Sequence, residues 1–216
     1  KLENAGAWPF SLDVGENKNI VEISNKTKNR VSHTKLSKVD GEEILEINYD
    51  NLVYEYNGAE TGIKAIVQLA ITKSDEYVKM RLTLDNSKGS NKISAVKLLK
   101  GGLLMSGEKQ ERLTAPVWGG GTYWNEPTGN KYFKDGVRLG YPGKNMHTLE
   151  SGWVDLHGDR GGIGIAYINA QGLAMEFSIK SLDTGMEISP ILFEPKAILG
   201  KSVPLEAGEV FTTDTV

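Results

Sequence analysis

The chain contains no cysteine, which excludes disulfide bonds, iron–sulfur clusters, thiolate zinc sites and cysteine nucleophiles. It also has no run of about 18 consecutive apolar residues, the length that a membrane-spanning helix needs. Lysine and arginine number 25 against 28 aspartates and glutamates, a net charge of −3. Without a basic excess, binding to nucleic acid through phosphate contacts is excluded. We therefore expect neither a membrane span nor a nucleic-acid partner.

Several catalytic and cofactor motifs are missing as well. No dinucleotide fingerprint and no nucleophile elbow occurs, and the glycines at 119–121 are not followed by the Lys-Ser/Thr pair of a phosphate loop. The chain has only three histidines, His33, His147 and His157. We therefore expect no cofactor, and few residues remain as candidates for acid–base chemistry.

What the sequence does contain is alternation with a period of two. In Tyr77–Asp85, Val78, Met80, Leu82 and Leu84 occupy one parity and polar residues the other, as in a half-buried strand. Ile44–Tyr56 changes parity midway, which predicts a long strand or one with a β-bulge. Turn pairs such as Asp40-Gly41 recur between the strands. The pattern predicts an all-β fold, an antiparallel two-sheet β-sandwich, with residues 1–216 forming one domain.

The stretch Gly101–Arg160 departs from this pattern and is rich in glycine, proline and aromatic residues. Irregular segments on a regular scaffold often carry function. Aromatic rings stack on the faces of sugars, and nearby amides and carboxylates bind hydroxyl groups. The alternative is that the aromatic rings fill one end of the sandwich. The candidate carbohydrate-binding residues are Trp118, Tyr123, Trp124, Asn125, Glu126, Tyr141 and Trp153.

The same stretch offers two weaker constellations. His147 and Glu150 are candidates for a catalytic acid–base pair, although side chains three positions apart on a strand lie on opposite faces. Asp155, His157 and Asp159 share one parity and are candidate metal ligands. A solvated turn around Gly158 is the simpler interpretation of that pattern. We therefore expect no resident metal.

The order of several short motifs resembles a known family. Lys92–Leu103 precedes the Pro116–Pro127 loop, and a Tyr-Pro-Gly motif at 141–143 follows; then come Met146, Trp153, Asp155 and Leu156, a glycine-rich stretch at 161–167 and a tail at 203–209. This order, over about residues 75–216, resembles the N-terminal domain of bacterial glycoside-hydrolase-like proteins, which has the galactose-mutarotase-like β-supersandwich fold. In that family the sandwich precedes a catalytic (β/α)8 barrel.

The resemblance implies a non-catalytic, carbohydrate-associated module of a polysaccharide-degrading protein, with an aromatic loop that contributes to sugar binding. It further implies that the chain is a fragment, that a catalytic barrel follows residue 216, and that the protein is exported or lies on the surface of a bacterium. Two alternatives remain open. One is a carbohydrate-active enzyme in its own right, of the aldose 1-epimerase, glycosidase or lyase type. The other is a purely structural or interaction sandwich.

Overall fold

The structure, a computed structural model, is nearly all β, with antiparallel sheets in a sandwich-like arrangement. The predicted fold class is thus confirmed. None of the described residues forms a helix that is long and apolar enough to cross a membrane. The described residues are 8–15, 17–24, 29, 31–74, 76–100, 105–106, 111–116, 122–140, 152–159, 161–166, 175–183, 185–193 and 205–213.

Sixteen strands, one short helix and a 3-10 turn at Asn17–Asn19 make up the described secondary structure. The helix, α1, spans Lys131–Lys134 and begins after Asn130, whose side chain accepts a hydrogen bond from the backbone N–H of Tyr132. The strands are β1 (Trp8–Val14), β2 (Val21–Ile23), β3 (His33–Val39), β4 (Glu42–Tyr49), β5 (Lys64–Ile71), β6 (Lys79–Asp85), β7 (Ile93–Lys100), β8 (Met105–Ser106), β9 (Arg112–Ala115), β10 (Thr122–Asn125), β11 (Val137–Gly140), β12 (Trp153–Gly158), β13 (Gly161–Ala166), β14 (Met175–Leu182), β15 (Gly185–Phe193) and β16 (Val210–Thr212).

The chain divides into two compact units. Unit 1 comprises Lys1–Phe10, Val96–Tyr167 and Gly172–Ser202. Unit 2 comprises Ser11–Ala95, Ile168–Gln171 and Val203–Val216. The expectation of a single domain over residues 1–216 stays a prediction.

Unit 2 contains a five-stranded sheet with the order β16-β6-β5-β4-β3. Asp40 and Gly41 connect β3 to β4 and both have positive φ, 51° and 88°, as a two-residue type I′ turn requires. The predicted alternation of β6 is confirmed, because Met80, Leu82 and Leu84 are buried. Val78 instead precedes the strand and is exposed.

The prediction of one long strand over Ile44–Tyr56, with or without a bulge, is wrong. Strand β4 ends at Tyr49, and an isolated bridge joins Val53 to Glu60. Tyr49 and Leu52 are both buried although their parity differs, because the chain leaves the strand between them. A strand end and a bulge therefore produce the same change of parity in sequence.

Unit 1 contains the four-stranded sheet β10-β9-β12-β13 and a second sheet in which β11, β14 and β15 are neighbours and β8 pairs with β15. Its core includes Phe133, Phe177 and Ile188, all fully buried. The prediction that Gly101–Arg160 is irregular is wrong for its described part, which holds β8 to β12 and α1. These strands are two to six residues long, too short for a period of two to stand out.

Candidate functional site

The four-stranded sheet of unit 1 has one apolar and one polar face. Leu113, Ala115, Val154 and Leu156 are all fully buried on the apolar face. Because side chains alternate along a strand, the residues between them lie on the opposite side. That side is called the polar face here, and its described members are Arg112, Thr114, Asn125, Trp153, Asp155, His157, Gly162, Gly164 and Ala166.

Asp155 and His157 form a hydrogen-bonded pair on the polar face. The His157 Nδ1 and Asp155 Oδ2 atoms are 2.7 Å apart, and the two side chains are 40% and 36% exposed. They meet because residues two apart on β12 share a face. When Nδ1 donates to the carboxylate, the ring is oriented and Nε2 is left as a hydrogen-bond acceptor. The pair can accept hydrogen bonds from ligand hydroxyl groups in binding, and in acid–base chemistry the imidazole can accept a proton.

Trp153 presents an exposed aromatic surface on the polar face. Its side chain is 37% exposed, and it lies on the same side of β12 as Asp155 and His157. Trp153 and His157 are four positions apart, about 13 Å along an extended strand. Asp155 lies between them, about 7 Å from Trp153 along the strand, so the three side chains form a row that suits a ligand longer than one sugar ring.

Strand β13 borders this site, and on the polar face it carries only glycines and one alanine. Gly164 pairs with Asp155, and Gly162 pairs with His157. A Cβ at Gly162 would lie 2.5 Å from the Cβ of His157 and 2.8 Å from the carbonyl oxygen of Leu156, so only glycine fits there. At Gly164 the nearest atom would be Asp155 Oδ1 at 3.8 Å, an ordinary contact. The glycine strand leaves the edge of the Asp155–His157 pair open.

Of the predicted aromatic residues, Trp124 lies on the other face. It pairs with the buried Leu113, meets Phe133 edge to face with ring centroids 5.5 Å apart, and lies nearly parallel to Tyr132 at 6.4 Å. Partial burial raises the pKa of Tyr132 above its ordinary value. Trp124 thus joins α1 to the sheet, as the core-filling alternative expects for this residue.

The other predicted residues are distributed as follows. Asn125 is exposed on the polar face, and Glu126 is exposed just beyond β10 with a φ of 47°. For Tyr123 the structure describes the backbone in β10 alone. Trp118, Tyr141, His147 and Glu150 lie outside the described residues, so neither the full aromatic set nor the His147–Glu150 pair is placed.

The three candidate metal ligands do not converge. Asp155 and His157 are in contact, but Asp159 is exposed in the turn after β12. Within the described part of the chain, no group of three or more histidine, aspartate or glutamate side chains has a geometry that holds a metal ion.

Sequence reasoning missed Glu111, Arg112 and the role of β13. Glu111 is 2% exposed, and its Oε2 accepts hydrogen bonds from the backbone N–H and hydroxyl of Thr128. No local signal marks Glu111 or Arg112, because β9 has only four residues. The alternation of glycine and isoleucine at 162–165 does carry a signal, because it predicts a strand with one face free of side chains.

Unit 2 contains a separate cavity of about 530 Å³. Its lining includes the charged residues Asp50, Glu60, Lys64 and Lys88 but no aromatic ring. Carbohydrate sites rely on ring stacking in addition to hydrogen bonds, so the polar face of unit 1 is the better candidate for binding sugars.

Comparison with models of known protein families finds no match to this chain. A search of curated proteins likewise finds no match.

Proposed function

We propose that this chain is a carbohydrate-binding β-sandwich module that holds an oligosaccharide on the polar face, as a non-catalytic part of a polysaccharide-degrading glycoside-hydrolase-like protein. The observation that carries the proposal is that the exposed Trp153 shares one face with the Asp155–His157 pair. A ring for stacking and groups for hydroxyl recognition are the two components that sugar binding needs.

Two further features support the proposal. Asn125 and Thr114 add an amide and a hydroxyl to the same face, so both donors and acceptors are present. Because the glycines of β13 have no side chains, they do not obstruct the approach of a ligand to β12. The resemblance adds an expected catalytic barrel after residue 216 and a location outside a bacterial cell, and both stay proposals.

Isothermal titration calorimetry with neutral and acidic oligosaccharides measures their affinity for the chain and tests the proposal. Trp153→Ala should weaken binding at least tenfold, because the stacking surface is removed, whereas Trp153→Phe should retain part of the affinity. Trp124→Phe is the matched control, because Trp124 lies on the other face. Equal losses in Trp153→Ala and Trp124→Phe, or no binding across the panel, would contradict the proposal.

The Asp155–His157 contact also favours a second candidate, an acid–base enzyme of the aldose 1-epimerase type. A carboxylate that orients a histidine is the arrangement of a general base. Polarimetry on freshly dissolved aldoses tests this function directly. Acceleration that falls about 10²–10⁴-fold in His157→Gln would support it, and an unchanged rate of mutarotation with the intact chain would exclude the epimerase activity.

A further inference from the structure

One row of side chains crosses three strands of the polar face. Asn125 on β10 pairs with Arg112 on β9, and Arg112 pairs with His157 on β12. Paired residues of neighbouring antiparallel strands point to the same face, about 5 Å apart. The Cβ of Arg112 therefore lies between the side chains of Asn125 and His157, on a strand that is paired on both sides.

Arg112 has no acidic partner among the described residues. Its side chain is exposed, and among the described residues no carboxylate lies within ion-pair distance of its guanidinium. The polar side of the five-stranded sheet differs, because Lys79 there pairs with Glu42. The nearest acid on β12, Asp155, already accepts from His157. Within the part of the chain that the structure describes, the cation at the centre of the row therefore has no compensating carboxylate.

The chemistry of the row suits a carboxylate. A guanidinium is planar and presents parallel N–H donors that match a carboxylate in a bidentate geometry. The amide of Asn125 can donate to the same ligand group. We infer that the polar face binds acidic oligosaccharides, with one pyranose ring on Trp153 and the carboxylate of a uronic acid residue on Arg112. This inference rests on the proposed function and adds the charge class of the sugar.

A matched pair of ligands tests the inference. Calorimetry would compare an oligogalacturonate with the neutral oligosaccharide obtained by reducing its carboxyl groups, and with a sulfated oligosaccharide. We expect the oligogalacturonate to bind about tenfold more tightly than either. Arg112→Ala should remove this preference, because it should weaken binding of the oligogalacturonate about tenfold more than binding of the neutral ligand. Arg112→Lys should retain only part of this preference, because a single ammonium charge replaces the planar guanidinium and its parallel donors.

Arg81→Ala is the control for net charge, because Arg81 is exposed on the five-stranded sheet of unit 2. Equal weakening in Arg112→Ala and Arg81→Ala would show that the effect is long-range electrostatics and would overturn the inference. The inference would also be overturned if the neutral ligand or the sulfated ligand bound as tightly as the oligogalacturonate. In these cases Trp153-dependent binding of the neutral ligand would leave the proposed function intact. Absence of binding to every ligand would reject both.

Discussion

At the scale of single residues, Glu111 shows how a buried polar side chain fixes a loop. Its Oε2 accepts from the backbone N–H of Thr128 at 3.3 Å and also from the hydroxyl of Thr128. Its carbonyl oxygen accepts from the backbone N–H of Glu126 at 2.7 Å. Glu126, which is not a glycine, has a positive φ of 47°, so the loop needs such anchors to hold an unfavourable backbone conformation there.

Glu111→Ala should therefore destabilise the chain by about 1–3 kcal/mol, because it leaves the two donors of Thr128 without their partner. Glu111→Gln keeps an acceptor oxygen and should cost less. Denaturant unfolding measures both variants, and Thr128→Val shows how much of the loss belongs to the hydroxyl group. A loss in Glu111→Ala no larger than that in Glu111→Gln would contradict the anchoring role.

At the scale of elements, the pairing of β12 with β13 controls the position of His157. Gly162→Ala should destabilise the chain by about 1–3 kcal/mol, because the new methyl group overlaps the Cβ of His157 and the backbone of Leu156. It should also shift the His157 ring signals in NMR spectra, since the contact with Asp155 is disturbed. The experiment combines thermal unfolding with side-chain NMR.

Gly164→Ala is the control in the same strand. Its methyl group would meet nothing closer than 3.8 Å, so stability should change by less than about 0.5–1 kcal/mol and could rise because the unfolded chain is restricted. If both alanine variants behave alike, the packing of Gly162 against His157 does not determine the geometry of the pair.

Strand prediction from sequence succeeded where the strand was long and one face was buried. Met80, Leu82 and Leu84 alternate with polar residues in the sequence, and all three are buried in β6. It failed for β9 and β10, because four residues show too few alternations to identify a strand. Such strands form because Leu113 is buried between partners that are distant in sequence, which a local pattern does not contain.

The candidate site also has one part that was predictable from the sequence and one part that was not. Asp155 and His157 share a parity in the sequence, so their common face was predictable, and the structure adds the 2.7 Å contact. The assignment of Trp124 to the apolar face follows from its pairing with Leu113. That pairing links residues of two different strands, so the sequence alone left sugar binding and core filling open for Trp124.

At the scale of the whole molecule, two carboxylates couple folding to pH. Hydrogen bonds from Asn48 and Gln68 hold the pKa of Glu46 below its ordinary value of 4.5. Hydrogen bonds from the side chain and backbone of Ser87 hold the pKa of Asp85 below 3.8. Because the folded-state pKa values are the lower ones, the stabilisation is complete above these ordinary values and is lost as pH falls through the folded-state values.

The free energy of unfolding should therefore decrease as pH drops below 4.5 and then below 3.8. Denaturant unfolding over this range measures the decrease. Gln68→Ala and Ser87→Ala should each make the dependence on pH shallower, because each removes a donor that favours the ionised form. An equally steep dependence in both variants would show that other carboxylates dominate acid unfolding.

The most direct test of the whole account maps an oligosaccharide onto the isotopically labelled chain by NMR. Titration with an oligogalacturonate should shift the amide signals of β9, β12 and β13 and the indole signal of Trp153, while the five-stranded sheet of unit 2 stays unchanged. Shifts that cluster instead around Trp124 and α1 or around the cavity of unit 2, or no shifts at saturating sugar, would contradict the account.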